Sequence, residues 1–424
     1  MSNVSNITNQ TSENSTISNL QNTLEQAKNK EKIFDKFLRE GINAGSTAEK
    51  LALLYRGVES SPYLQDINNY PERLKQQPNP EDLIFKPYPK VGEMPQIDRQ
   101  GLEFLHPDIK EACICIGRVN EGKIKAHWLG RNALNKNQFW SGTKIIPLLN
   151  IVSQANTKFL QSSLENCVIR DSAKRQKDTP FLDIASDIIS YQKQVASSNS
   201  LAAMCKRFET WEGLETWVKK VTGNQDLVFR GRYGEDPFIN QPELFDLKTK
   251  KVLLSAAPET NRGDNLVTAY DLLRLLTMLG WHHQLPVEAR LPGAQWHSLS
   301  LIVKALGKDA CRYTDIAIET LGLKNFISSP VIISKLGDGY SDTRKSTEIV
   351  YIAFIQFILD LPQSGRKPAD LITLGLALRG AKPFLETNPA AIEQAKNRDA
   401  VELDARMVTE VTEILRRVVT QELV

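Results

Sequence analysis

Hydrophobic and polar positions along this chain change period several times, and each change marks an expected element. Leu24 to Ile42 places Ile33, Phe34, Phe37 and Leu38 on one face at helical spacing, and Thr47 to Tyr55 repeats the pattern over a shorter span. Pro-rich, charged sequence from Tyr70 to Pro95 keeps neither period and reads as a linker or an extended wrap over the next domain. From about residue 100 the period drops to two. Ala112 to Arg118 and Gly122 to Gly130 read as strands joined at Asn120-Glu-Gly122, with Ile124, Ala126 and Trp128 on one face and Lys125 and His127 on the other. A helical middle follows at Ile145 to Val152, Ile184 to Val195, Leu201 to Phe208, Leu214 to Val221 and Thr268 to Leu279. In the last of these, Thr268 and Asp271 make a capping-box pattern ahead of Leu272, Leu273, Leu275, Leu276 and Leu279. Strand-like runs return at Val331 to Ser334, Glu348 to Leu359 and Leu371 to Leu378, before a final helix over about Ala390 to Thr420. Strands at both ends with helices between predict one sheet completed by distant parts of the chain.

Composition narrows the classes. With 424 residues, 41% of them hydrophobic, the chain can bury a large core. Its division is expected to be a disordered, Ser/Asn/Thr-rich stretch over 1–24, a helical extension and linker over 25–100, and the main domain over 101–424. Lys and Arg total 53 against 50 Asp and Glu, a formal net charge of +3, too balanced for a dedicated nucleic-acid binder. Cysteines at 113, 115, 167, 205 and 311 form no CxxC pair, Cys113 and Cys115 alternate with Ile114 and Ile116 as strand packing does, and His282-His283 reads as solvated or core, so no metal or cofactor is expected. Met1 to Asn22 lacks the apolar run of a signal peptide, and no apolar stretch reaches the roughly 18 residues of a spanning helix. The expectation is therefore a cytoplasmic protein without a membrane-spanning segment, or a periplasmic one if the true start or export route differs. Arg230 to Pro237 lacks the GxxxxGK[ST] arrangement of a phosphate loop and reads as a surface turn, and Arg170 to Lys177 as a solvated loop.

Candidate chemistry begins at Ser141-Gly-Thr-Lys144, where a Ser and a Lys three residues on share one helical turn and the amine can take the hydroxyl proton. Ser364-Gly-Arg-Lys367 has the same spacing, but Pro368 makes it a turn. Ser141 stands ahead of the apolar run Ile145, Ile146, Leu148, Leu149, where a buried helix should start and its backbone N–H should be unpaired. Ser197-Ser198-Asn199 comes 56 residues later between two amphipathic helices, and Lys335-Leu336-Gly337 ends a strand.

This ordered set, over roughly residues 105–424, resembles the serine β-lactamase and penicillin-binding protein (DD-peptidase) superfamily, whose signatures are SxxK, SxN and KTG. Leu201-Ala-Ala after the SxN and Thr268-Ala-Tyr-Asp-Leu-Leu, similar to the family's TAxDLL helix start, extend the likeness. The resemblance implies an α/β (α+β) fold with a five-stranded antiparallel sheet flanked by helices and an all-helical lobe carrying Ser197 to Asn199. It implies that Ser141 attacks a carbonyl while neutral Lys144 accepts the proton, with Lys335 depressing the pKa of Lys144. Ser197 would relay a proton to the leaving nitrogen, Asn199 would bond Lys144 and the substrate amide, and the N–H groups of Ser141 and of Asp338, following Gly337, would bind the oxyanion. The implied partner is a small-molecule or peptide acyl substrate, such as a D-alanyl peptide; nothing specifies oligomeric state. Two departures stand out. Leu336 replaces the usual Thr or Ser, removing a carboxylate contact worth about 1 to 3 kcal/mol. Leu244 to Val267 lacks the ExxLN pattern that supplies one class with its deacylating Glu, and Glu259 there reads as a solvated loop residue. The alternative is a non-catalytic binding protein that keeps the fold.

Overall fold

Side chains that alternate between two apolar layers build the central sheet of the computed structural model, which describes residues 16–47, 57–75, 84–360, 370–384 and 391–423. Its long strands are β1 (Ile109–Asn120), β2 (Lys123–Arg131), β3 (Ile327–Ser341), β4 (Ser346–Leu359) and β5 (Asp370–Pro383), antiparallel in the order β2-β1-β5-β4-β3. The five strands of the expected sheet are thus present, and two-residue pieces extend it past β2: Lys86–Pro87 pairs antiparallel and Ile97–Asp98 parallel. On β1, Cys113 and Cys115 enter the front core while Ala112, Ile114 and Ile116 enter the rear one. β4 does the same with Val350, Ile352 and Phe354 in front and Ile349, Tyr351 and Ile355 behind.

Helices close both faces. The rear is covered by α1 (Lys30–Asn43), which contributes Ile33 and Phe37, and by the long C-terminal helix with Leu403, Met407, Val411 and Ile414. In front lie α2 (Ile145–Lys158), α3 (Phe181–Ser190), α4 (Ser198–Lys206) and α5 (Ala269–Gly280); the C-terminal helix, α6, spans Ile392–Val419. The capping box of α5 is formed, Thr268 Oγ1 accepting from the Asp271 N–H and the Asp271 carboxylate accepting from the Thr268 N–H.

Three expectations change. The front lobe is not all helical: Cys167–Asp171, Thr179–Pro180, Pro242–Asp246 and Lys251–Ser255 form a four-stranded sheet. Its strands are at most five residues long, so the alternation in Pro-Glu-Leu-Phe-Asp is too brief to stand out from a loop. Residues 16–24, part of a helix over 16–26, are helical where disorder was expected, because Leu20 and Ala27 bury on the rear core despite the polar residues between them. Lys335 lies within β3, which runs seven residues past the expected strand end at Ser334. The helix expected after Thr47 and the Ser364 to Lys367 turn fall outside the described residues. Among those described, no helix is long and apolar enough to cross a membrane.

Candidate active site

Three elements meet at the front of the β3 edge. The first is a tight 3-10 turn, Trp140–Lys144, running straight into α2. Trp140 enters it with φ of 41°, a left-handed conformation that needs outside support for a residue with a side chain. Support comes from its indole, whose Nε1–H donates to Glu348 on β4 at 2.8 Å. Glu348 in turn accepts from Arg379 and Arg344 at 2.7 Å each, and Arg379 reaches Glu111 on β1 at 2.6 Å. A buried ion network crossing three strands therefore seats the turn that presents Ser141.

The second element is β3. A Cβ on Gly337 would stand 2.6 Å from the Ser141 nitrogen and 2.9 Å from that of Gly142, so glycine alone lets the strand approach the turn. Gly337→Ala is expected to destabilise the fold by about 1 to 3 kcal/mol, as overpacking against backbone does, readable by chemical denaturation; a change near zero would mean the approach is loose. Backbone direction along the strand follows from its partners. Leu336 offers its carbonyl to the Tyr191 hydroxyl at 2.7 Å and turns its N–H to buried Asp309, both off the outer edge. Residues two apart on a strand repeat that direction, so Asp338 points its N–H and C=O off the same edge.

The third element is α4 with the turn before it. Lys144 is 1% exposed, and its Nζ donates to Ser198 Oγ at 2.9 Å and to Asn199 Oδ1 at 2.7 Å. Ser198 passes its own proton to the Ile188 carbonyl at 2.6 Å, which leaves its oxygen free to accept. Burial first, then the charge of Lys335, bring the Lys144 amine down to about 6. A neutral amine has two N–H bonds, matching these two acceptors, and one lone pair beyond them. Ser197, the expected relay, sits differently: its hydroxyl caps α4 by accepting from the Ser200 N–H and donates to Glu235. The structure brings Lys144 to Ser198 and Asn199 and does not bring it to Ser197.

The cavity these elements enclose has a volume of about 460 Å³ and takes in Ser141, Lys144, Ser197, Ser198, Asn199 and Asp338. Among the further groups that line it and that sequence reasoning missed are Trp140, Tyr191, Tyr233 and Glu235. Tyr233 and Glu235 belong to the stretch read as a surface turn. It instead forms a wall, anchored where buried Lys206 of α4 donates to Gly231 O at 2.8 Å and Asn265 Oδ1 at 3.0 Å. Glu259, read as solvated, pairs with Arg232 at 2.6 Å. Tyr191, the left-handed cap of α3, stacks over Lys335. Lys335 is fully buried, its Nζ 3.1 Å from the Ile189 carbonyl and 3.9 Å from Asp309, with burial lowering it to about 8 against the pull of that carboxyl. Leu336 does not face the cavity at all. Its side chain is buried in the rear core, where a leucine stabilises by about 1.5 to 3 kcal/mol, so the hydroxyl missing at 336 leaves no gap in the cavity wall.

No protein-family model matches the chain, and no curated protein matches it. Among solved structures, a β-lactamase from Desulfarculus baarsii is similar over 73% of this chain and 93% of that one, at 15% identity and a TM-score of 0.38. A β-lactamase from Streptosporangium roseum is similar over 75% of this chain and 98% of that one, at 13% identity and a TM-score of 0.37. A peptidoglycan synthetase from Bifidobacterium adolescentis is similar over 71% of this chain and 56% of that one, at 10% identity and a TM-score of 0.28.

Proposed function

We propose that this chain is a serine acyl-transfer enzyme of the penicillin-recognising type, acting on an ester or amide through a Ser141 acyl-enzyme. The observation that carries the reading is the Lys144 amine, buried, bonded to Ser198 and Asn199, lowered to about 6 and lining the same cavity as Ser141. Such an amine is free base at neutral pH and takes the Ser141 proton as Oγ bonds the acyl carbon. The N–H groups of Ser141 and Asp338 receive the negative charge on the carbonyl oxygen. As the bond to the leaving nitrogen or oxygen breaks, the Ser198 hydroxyl turns its proton from the Ile188 carbonyl to the leaving atom and takes the proton on Lys144 in its place. Water or an amine then attacks the ester with Glu235, which accepts a hydrogen bond from Ser197, taking its proton, and a proton returns to Ser141 Oγ as the acyl group leaves.

The test is mass spectrometry after incubation with p-nitrophenyl esters and a reporter penicillin. An acyl adduct confined to Ser141 and absent from Ser141→Ala is expected with at least one ester. No adduct with any reagent, and no loss of turnover in Ser141→Ala, would sink the enzyme. A binding protein that keeps the fold without turnover is the second reading, favoured by one observation: Lys335 is closed off beneath Tyr191.

A further inference from the structure

Position 336, which the resemblance gives to a substrate carboxylate, and the Lys335 cation next to it are both withdrawn from the cavity. Leu336 is buried behind the sheet. Lys335 is 0% exposed, and the Tyr191 ring stands 3.5 Å above its Nζ. Tyr191 is held there from both ends, by its hydroxyl on the Leu336 carbonyl and by its backbone N–H on Asp187 O at 3.2 Å, where it caps α3 with φ of 60°.

What the cavity does present is of opposite character. Asp338 and the exposed Glu235 both line it, neither within ion-pair distance of a cation among the described residues, with Lys144 acting on both at longer range. Burial raises the Asp338 carboxyl against the pull of Lys335 and Lys144, and a cation arriving beside it would return it to the charged form. Trp140, Tyr191 and Tyr233 add aromatic faces to the same wall. Of the cations near the mouth, Arg232 is tied to Asp236 at 2.8 Å and Glu259 at 2.6 Å, while Lys193 stands exposed at the rim. Carboxyls held outside ion-pair distance of any cation, beside aromatic rings, are surroundings in which an ammonium or quaternary ammonium group is stabilised, by charge and by the ring quadrupoles together. A carboxylate in the same place meets like charge with its natural partner sealed beneath Tyr191.

We propose that the Ser141 cavity selects acyl groups bearing a positive charge over those bearing a carboxylate, with Asp338 and Glu235 as counter-charges and Tyr191 as the residue that sets the preference. This rests on acylation at Ser141. The test uses p-nitrophenyl esters of 4-trimethylammoniobenzoate, 4-methylbenzoate and 4-carboxybenzoate, each rate divided by that ester's own hydroxide hydrolysis. The cationic ester is expected to acylate Ser141 about tenfold faster than the neutral one. The anionic ester is expected to lag the cationic one by about a hundredfold. Asp338→Asn should remove about tenfold of the cationic advantage, and Tyr191→Ala, by uncovering Lys335, should raise the anionic ester relative to the neutral one by about tenfold. An anionic ester as fast as the cationic one overturns the proposal, as does an unaltered order in a folded Asp338→Asn protein. Calorimetric binding of the three matching benzamides to the unaltered protein separates this from failure of the enzyme reading, because it needs no acyl transfer. Tightest binding of the cationic amide supports the selection even if no ester reacts; equal or tighter binding of the carboxylate, or no binding of any, overturns it.

Discussion

Replacing Lys144 with Met is expected to slow acylation of Ser141 by about 10²- to 10⁴-fold, the usual contribution of a positioned general base. The methionine keeps the length of the stem but has no lone pair to receive the hydroxyl proton, and Ser198 and Asn199 lose their shared donor. The pH profile gives the sharper readout. Because burial and then the Lys335 charge lower Lys144 to about 6, its free-base fraction grows as pH rises through that value and is nearly complete above 7, so the acylation rate should climb and level off there. Lys144→Met should lose that step along with the rate. Quenched mass spectrometry of the acyl adduct across pH 5 to 8 measures both; an identical profile in the variant would show that some other group removes the proton.

The second large effect lies behind the site. Glu348→Ala is expected to destabilise the fold by about 3 to 5 kcal/mol, since it leaves the buried Arg379 guanidinium with Glu111 alone and takes the acceptor from the Trp140 indole. Arg344→Ala, whose partner is the same carboxylate but whose side chain is partly exposed, should cost no more than about 1 kcal/mol. Denaturant titration of the two variants gives the comparison, and equal costs would mean that the network is not acting as a buried one. Burial alone would raise the Glu348 carboxyl, but hydrogen bonds from Arg344 and Arg379 hold it down to about 2. Its folded pKa therefore lies below the unfolded one, so its contribution is fully present above about 4.5 and is lost as pH falls toward 2.

How much of this could be read from the chain depends on the reach of each signal. Apart from β3, read only at Val331 to Ser334, the long strands and α5 were legible because strand-like apolar runs and a capping box are local patterns that burial preserves. The short strands of the front lobe were not, since a five-residue alternation carries too few positions. In the site, motif spacing could nominate Ser141, Lys144, Asn199 and Lys335, but between adjacent serines it favoured Ser197. The distinction is set by the start of α4, which spends the Ser197 oxygen on a cap and turns Ser198 inward, a matter of helix phase that spacing does not encode. Tyr191 and Glu235 were invisible for a different reason: each reaches the cavity from a loop placed by contacts far away in sequence, as in the Tyr191 bond to Leu336 across 145 residues. Leu336 misled because a missing hydroxyl was read as a missing contact, whereas strand alternation sends its side chain to the other core.

The segment around Pro87 bears on a different matter, the behaviour of the protein at high concentration. An open sheet has two rims of unpaired backbone groups that invite pairing with another chain. Here Lys86–Pro87 and Ile97–Asp98 lie along β2, and Pro87 brings no amide hydrogen with which a further strand could pair. At the other rim, the Tyr191 hydroxyl and Asp309 occupy Leu336, and the Trp140 turn fills the space beside Gly337 and Gly339. Lys86–Pro87 thus covers part of one rim of the sheet, and the contacts of Leu336 with Tyr191 and Asp309 cover part of the opposite one.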